Sequence, residues 1–244
     1  MLISRRFFLG WSLGSAAGIT LSSIRKVQAV KQPQHLKDAL ILLNGLHQKN
    51  NKYQHEPTLV SWKGIAGAKD YISKADCSGF LNKLLSHSYG WTPEFFQRWM
   101  DTQRPLAKNY YNSIINQNRF QKIIKLGQIQ AGDIIAIKYS EGEDNTGHVL
   151  LVVESPTQRL FSKPVVPNTK QWSIKVIDQS RSGHGKTDTR YQADGSFHDG
   201  LGQGVLRLYS NQAQEIVGYT WSTFANSQYY SWNERHFAIG RLNY

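Results

Sequence analysis

Between His35 and Gln48 the apolar residues Leu36, Ala39, Leu40, Leu43 and Leu46 recur every three or four positions, which predicts an amphipathic helix ending near Lys49-Asn50-Asn51. Residues 52–75 keep no period and contain Pro57, Gly64 and Gly67, so an extended loop is expected, with at most a short strand or helical turn. From Cys77 the apolar positions Phe80, Leu81, Leu84 and Leu85 share one helical face up to Tyr89-Gly90, with Asp76 or Ser78 available as the cap. Pro93 to Ile124 reads as helix in pieces. Its aromatic residues, Phe95, Phe96, Trp99, Tyr110, Tyr111 and Phe120, would either wall a cleft as a lid or fill the core, and core packing is the plainer expectation. After Gly127 the period changes to that of strands, over 133–138, 148–154, 172–178, 205–209, 215–221 and 237–242, with a turn at Glu141-Gly142-Glu143-Asp144-Asn145. Helices followed by a run of strands predict an α+β domain, a mainly antiparallel sheet with helices on one side. There is no internal repeat and no linker that would divide the chain.

The first 29 residues stand apart. They hold no acidic residue, open with Ser4-Arg5-Arg6-Phe7-Phe8-Leu9, continue through an apolar stretch from Gly10 to Ile24, and end in Val27-Gln28-Ala29. This segment resembles a twin-arginine (Tat) export signal, with cleavage expected after Ala29 and residues 30–244 as the exported domain. Gly10, Gly14, Gly18 and several serines weaken an apolar stretch already shorter than the roughly 20 residues of a membrane span, and no Cys near the cut could carry a lipid. The expectation is therefore a periplasmic or secreted protein that meets the Tat translocase during export and keeps no stable membrane anchor.

Composition narrows the chemistry. Of the 29 Lys and Arg, Arg5, Arg6, Arg25 and Lys26 lie in this leader, so the remainder holds 25 against 17 acidic residues, a formal +8. Such a surface could suit nucleic acid, anionic lipid or an anionic wall polymer, and export argues against nucleic acid. The basic clusters are modest, as at Lys122 to Lys125, and no zinc-knuckle spacing, phosphate loop or aromatic RNA-binding signature occurs. One Cys in 244 residues rules out an internal disulfide or a multi-cysteine zinc site, and no cofactor or metal is expected.

That thiol, Cys77, falls at a predicted helix N-terminus, where free amides and the helix dipole stabilise a thiolate. A nucleophilic Cys needs a His to take its proton and later protonate a leaving amine, and a third polar group to fix the imidazole. Among eight His, His148 is preferred because it opens a strand just after Thr146-Gly147. Asp178 ends the strand from Trp172 and could accept from that imidazole if the two strands are neighbours, with Gln179 and His184 as weaker substitutes. Asp133 is expected only to cap the turn entering its strand. Ser182-Gly183-His184-Gly185 and Asp199 to Gly204 read as flexible loops, at most at a cleft rim.

Three blocks in order, Ala75-Asp76-Cys77-Ser78-Gly79-Phe80, Ala131-Gly132-Asp133-Ile134-Ile135 and Gly147-His148-Val149, resemble the NlpC/P60 family of papain-like cysteine peptidases over roughly residues 55 to 180. The family's usual Tyr and paired glycines ahead of the Cys are absent, and Trp62-Lys63-Gly64 occupies that stretch. The resemblance implies a papain-like fold, Cys77 as nucleophile, His148 as general base, Asp178 in the third position, and cleavage of amide bonds in peptidoglycan stem peptides. A catalytically silent wall-binding module and a Cys-dependent acyltransferase remain as alternatives.

Overall fold

The computed structural model describes residues 32–140 and 145–244, so the leader expected over 1–29 and all but the last residue of the turn at 141–145 lie outside the described residues. The chain forms α1 (Gln34–Gly45), β1 (Asn51–Tyr53), β2 (Leu59–Ser61), β3 (Ile72–Ala75), α2 (Cys77–Tyr89), α3 (Pro93–Met100) and α4 (Ala107–Ile115). Strands follow: β4 (Phe120–Ile123), β5 (Ile134–Lys138), β6 (Gly147–Val152), β7 (Thr157–Gln158), β8 (Lys170–Ser180), β9 (Gly200–Ser210), β10 (Ile216–Thr220), β11 (Tyr229–Ser231) and β12 (His236–Leu242). The fold is α+β with a mainly antiparallel sheet, as the sequence predicts.

The large sheet has the order β11-β10-β9-β8-β6-β5-β12-β4, with β7 beside β8, and its neighbours run antiparallel. Its far ends come together: the Leu126 amide donates to the Gln214 carbonyl at 2.9 Å and Lys125 bridges to Glu215. The sheet is thus rolled into a nearly closed barrel. Its interior is packed with Ile135, Ile137, Leu150, Val152, Ile174, Val176, Leu206, Tyr219, Phe237 and Ile239. Its outer face carries Ile134, Ala136, Val149, Leu151, Ile177 and Ala238 against the four helices. Strands buried on both faces read as continuous apolar runs, which is why Ile134-Ile135-Ala136-Ile137 and Val149 to Val152 show no alternation.

Two corrections concern elements. The stretch expected as a loop over 52–75 is instead three short strands, beginning at Asn51, with β3 central, parallel to β1 and antiparallel to β2. Residues 120–123 are strand β4 on the barrel edge instead of helix, after a turn in which Gln117 and Arg119 take positive φ (52° and 56°). The aromatic residues of the 93–124 stretch fill the core: Phe96, Trp99, Tyr110 and Phe120 are buried and packed ring to ring. Trp62, too, is structural, donating to the Asp38 carbonyl at 2.9 Å and stacking on His87.

Candidate functional site

Strand β3 runs straight into α2, so Cys77 is the first residue of the helix. Asp76 is the cap: its Oδ1 accepts from the Gly79 amide at 2.6 Å and from Ser78 Oγ at 3.1 Å. Its Oδ2 accepts from Arg104 Nη2 at 2.9 Å, and burial, which opposes ionisation, is outweighed by these donors and the Arg104 charge, so the carboxyl is held below its usual range. The first-turn amides of Cys77 and Ser78 have no partner one turn back and are left as donors beside the sulfur. Pro105 and Asn82 tie the following segment to α2, the Asn82 amide donating to the Pro105 carbonyl at 2.9 Å.

His148 enters from β6. Gly147 before it adopts φ of 135°, and a side chain there would collide with the Ile137 carbonyl, so this turn into the strand requires glycine. The Cys77 thiol lies 4.0 Å from the Gly147 carbonyl, which holds it beside His148, and the sulfur acts electrostatically on that imidazole. Strands β6 and β8 pair at Leu151–Ile177 and Val152–Val176 and separate beyond, which opens a wedge that the side chains of His148 and Asp178 fill. There the His148 Nε2 donates to Asp178 Oδ2 at 2.8 Å. With Nε2 committed to a carboxylate, Nδ1 is the nitrogen left for the thiol, an assignment inferred from this bonding pattern. Burial works against the imidazolium, but the nearby Cys77 charge and the hydrogen bond to and charge of Asp178 push its pKa up to about 10.

Asp178 is itself held in place from beneath. Its Oδ1 receives Arg190 Nη2 at 2.9 Å, and His184 Nε2 lies 3.1 Å away, close enough to act electrostatically though outside good hydrogen-bond geometry. Burial would raise its pKa, but the Arg190 and His184 charges and the His148 hydrogen bond hold it well below the usual carboxylate range. Arg190 also donates Nε and Nη2 to Asp188 at 2.9 and 2.8 Å. Trp221 covers this cluster, its ring edge-on to His148 with centroids 4.8 Å apart.

Of the residues singled out from the sequence, Cys77, His148 and Asp178 come together. Gln179 does not join them: it accepts from Ser73 Oγ and donates to the Lys52 carbonyl, both at 2.7 Å, and so ties β8 to the small sheet. His184 belongs to the buried group behind Asp178 and is fully buried, not part of a flexible rim, with Nδ1 donating to the Trp221 carbonyl at 2.6 Å. The glycine-rich 199–204 stretch is also corrected: it is the start of β9, where Gly202 and Gly204 leave room for the Arg190 and Asp188 side chains. Asp133 caps its turn as expected, accepting from the Gln130 amide at 2.8 Å, and pairs with Arg241. Arg190, Asp188 and Trp221 were missed. The one signal for the first two was the alternation Gly200-x-Gly202-x-Gly204, three bare positions on one face of a strand.

Two cavities meet at this site. One, of about 200 Å³, is walled by Cys77, Asp76, Ser78, Glu56 and Arg104. The other, of about 570 Å³, is walled by His148, Trp221, Arg181, Arg235 and several tyrosines, and the two share Tyr53, His55 and Asn145. Among the described residues no cluster suits a metal ion, and no helix is long and apolar enough to cross a membrane.

Fold and site together define an α+β protein with a mainly antiparallel sheet and a buried Cys–His–Asp constellation at the mouth of a cleft. The chain is 35% identical over 224 residues to the uncharacterized protein R653 of Acanthamoeba polyphaga mimivirus, an alignment covering 87% of this chain and 97% of that protein. It belongs to the same family as that protein. No protein-family model and no solved structure matches the chain.

Proposed function

We propose that this protein is a cysteine hydrolase of amide bonds, related in fold and motif to the papain-like NlpC/P60 peptidases, and that it is exported through its twin-arginine leader to act on peptidoglycan stem peptides. In this reading His148 takes the Cys77 proton and the thiolate attacks the scissile carbonyl carbon, whose oxygen becomes the oxyanion. The Cys77 amide, at the head of α2, is placed to donate to that oxygen. The imidazolium then protonates the leaving nitrogen as its bond to carbon breaks, and a thioester remains on Cys77. Water, deprotonated by His148, attacks the thioester and releases the acid and the thiol. Asp178 keeps the proton on Nε2 and the ring in place throughout.

The observation that carries the proposal is the placement of Cys77 at the head of α2, against the Gly147 carbonyl and beside a buried His148 whose Nε2 is held by Asp178. A structural free Cys packs against apolar neighbours and needs no such relay. The experiment is to incubate purified peptidoglycan with the protein and with Cys77→Ala and to identify the soluble fragments by mass spectrometry. Fragments with new amino and carboxyl ends that vanish in Cys77→Ala are expected. Identical fragment patterns from the two proteins would overturn peptidoglycan hydrolysis.

A further inference from the structure

Resting on the hydrolase reading, we infer that the larger cavity is the leaving-group side of the cleft and that the fragment it takes carries at least one carboxylate. His148 lines this cavity and Cys77 does not, whereas Cys77 lines the smaller one. The group that protonates the leaving nitrogen must face that nitrogen's side of the scissile bond, so the amine-bearing fragment lies in the larger space and the acyl fragment toward the smaller.

The described walls of the two spaces differ in charge. Around Cys77 the one guanidinium is already taken, since Arg104 pairs with Asp76 at 2.9 Å and with Glu56 at 3.4 Å. The larger cavity has no Asp or Glu among its described walls and holds two guanidinium groups, Arg181 and Arg235, neither of which pairs with a carboxylate among the described residues. These groups are held by aromatic rings. Arg235 stands over Tyr139 at 4.4 Å and over Tyr230 at 4.2 Å, and Arg181 stands over Tyr53 at 5.2 Å. A ring engages the face of a guanidinium and leaves the N–H edge as the forked donor that matches a carboxylate. A cavity of about 570 Å³ has room for a short peptide fragment, and its tyrosine and tryptophan walls would pack the fragment's stem while the arginines take its acid.

Binding can be measured without turnover in Cys77→Ala, by calorimetry with the tripeptide Ala-Glu-Glu bearing a free C-terminus and with the uncharged Ala-Gln-Gln amide. The acid form is expected to bind about tenfold more tightly or better, the worth of one charge-assisted contact. That preference should fall to near unity in the same protein carrying both Arg181→Gln and Arg235→Gln. Arg181→Gln alone, at an exposed position, should lose part of it without disturbing the fold, and Arg235→Lys should keep the charge and lose the fork. Equal binding of the two peptides, or no detectable binding of the acid form at millimolar concentration, would overturn the inference. A clear acid preference in a protein that proves unable to hydrolyse any amide would leave the subsite standing and remove the hydrolase.

Discussion

Arg190 is 2% exposed and stands between two carboxylates, Asp178 and Asp188, whose side chains are completely buried. Replacing it with Met keeps most of the volume and removes every donor. Asp178 then loses the 2.9 Å bond to its Oδ1, and Asp188 loses bonds at 2.9 and 2.8 Å while keeping the amides of His184 and of residue 190. Taking one partner from a buried ion pair costs about 3–5 kcal/mol, and with two carboxylates sharing one cation the upper end applies. Against the 5–15 kcal/mol typical of a whole domain, Arg190→Met should be severely destabilised but foldable.

The loss should also depend on pH with a definite sign. Asp178 is held well below its ordinary value of 3.8, so its contribution is present above that value and lost as pH falls through the lower, folded one. Without Arg190 the folded value rises, and acid unfolding begins at higher pH. The assay is urea unfolding followed by tryptophan fluorescence at pH 7 and at a series of lower values. The double variant Arg190→Met with Asp188→Asn should recover part of the stability, because one orphaned charge has gone. If Arg190→Met lies within about 1 kcal/mol of the parent, or if its acid limb does not move, the guanidinium is not what keeps Asp178 ionised.

Asp178→Asn tests the same relay from the other side. The His148 imidazolium is held to about pH 10 partly by the Asp178 hydrogen bond and charge, so the alkaline limb of the proposed Cys77-dependent hydrolysis should move to lower pH, and an unmoved limb would assign the effect to Cys77 alone. Phe96→Ala removes a ring that is 2% exposed between Trp91 and Trp99, and should cost about 3–5 kcal/mol in urea unfolding while kcat at a temperature where it is folded stays unchanged. A selective loss of kcat would restore the cleft-lid alternative for this aromatic stretch.

What could be read from the chain follows the range of the interactions involved. The helix of Cys77 is local: an apolar face of period 3.6, a capping Asp76, and Gly90 closing it at φ of 69°. Strands such as β5 and β6 announce themselves by apolar runs, and His148 by its place at the head of one. Strand β4 offers only four residues, too few to show a period of its own, and in the sequence it merges with the helical segment before it. The beginning of β9 reads as a loop because three of its first five residues have no side chain to form a pattern.

Asp178 needed one long-range fact, that β8 lies beside β6, and the run of consecutive strands made that neighbourhood a natural guess. Its counterions needed several such facts at once. Arg190 and Asp188 sit in a segment without regular structure, and nothing local distinguishes them from solvated loop residues. They are recognisable only when β9 is known to pass close by with glycines at 202 and 204, since a Cβ at either position would occupy the space of the Arg190–Asp188 pair. The same glycines that hid the strand are therefore what permits a charged layer to lie beneath His148. A buried carboxylate without that layer would carry the cost of its own desolvation, and the proposed relay from Asp178 to Cys77 depends on its staying ionised.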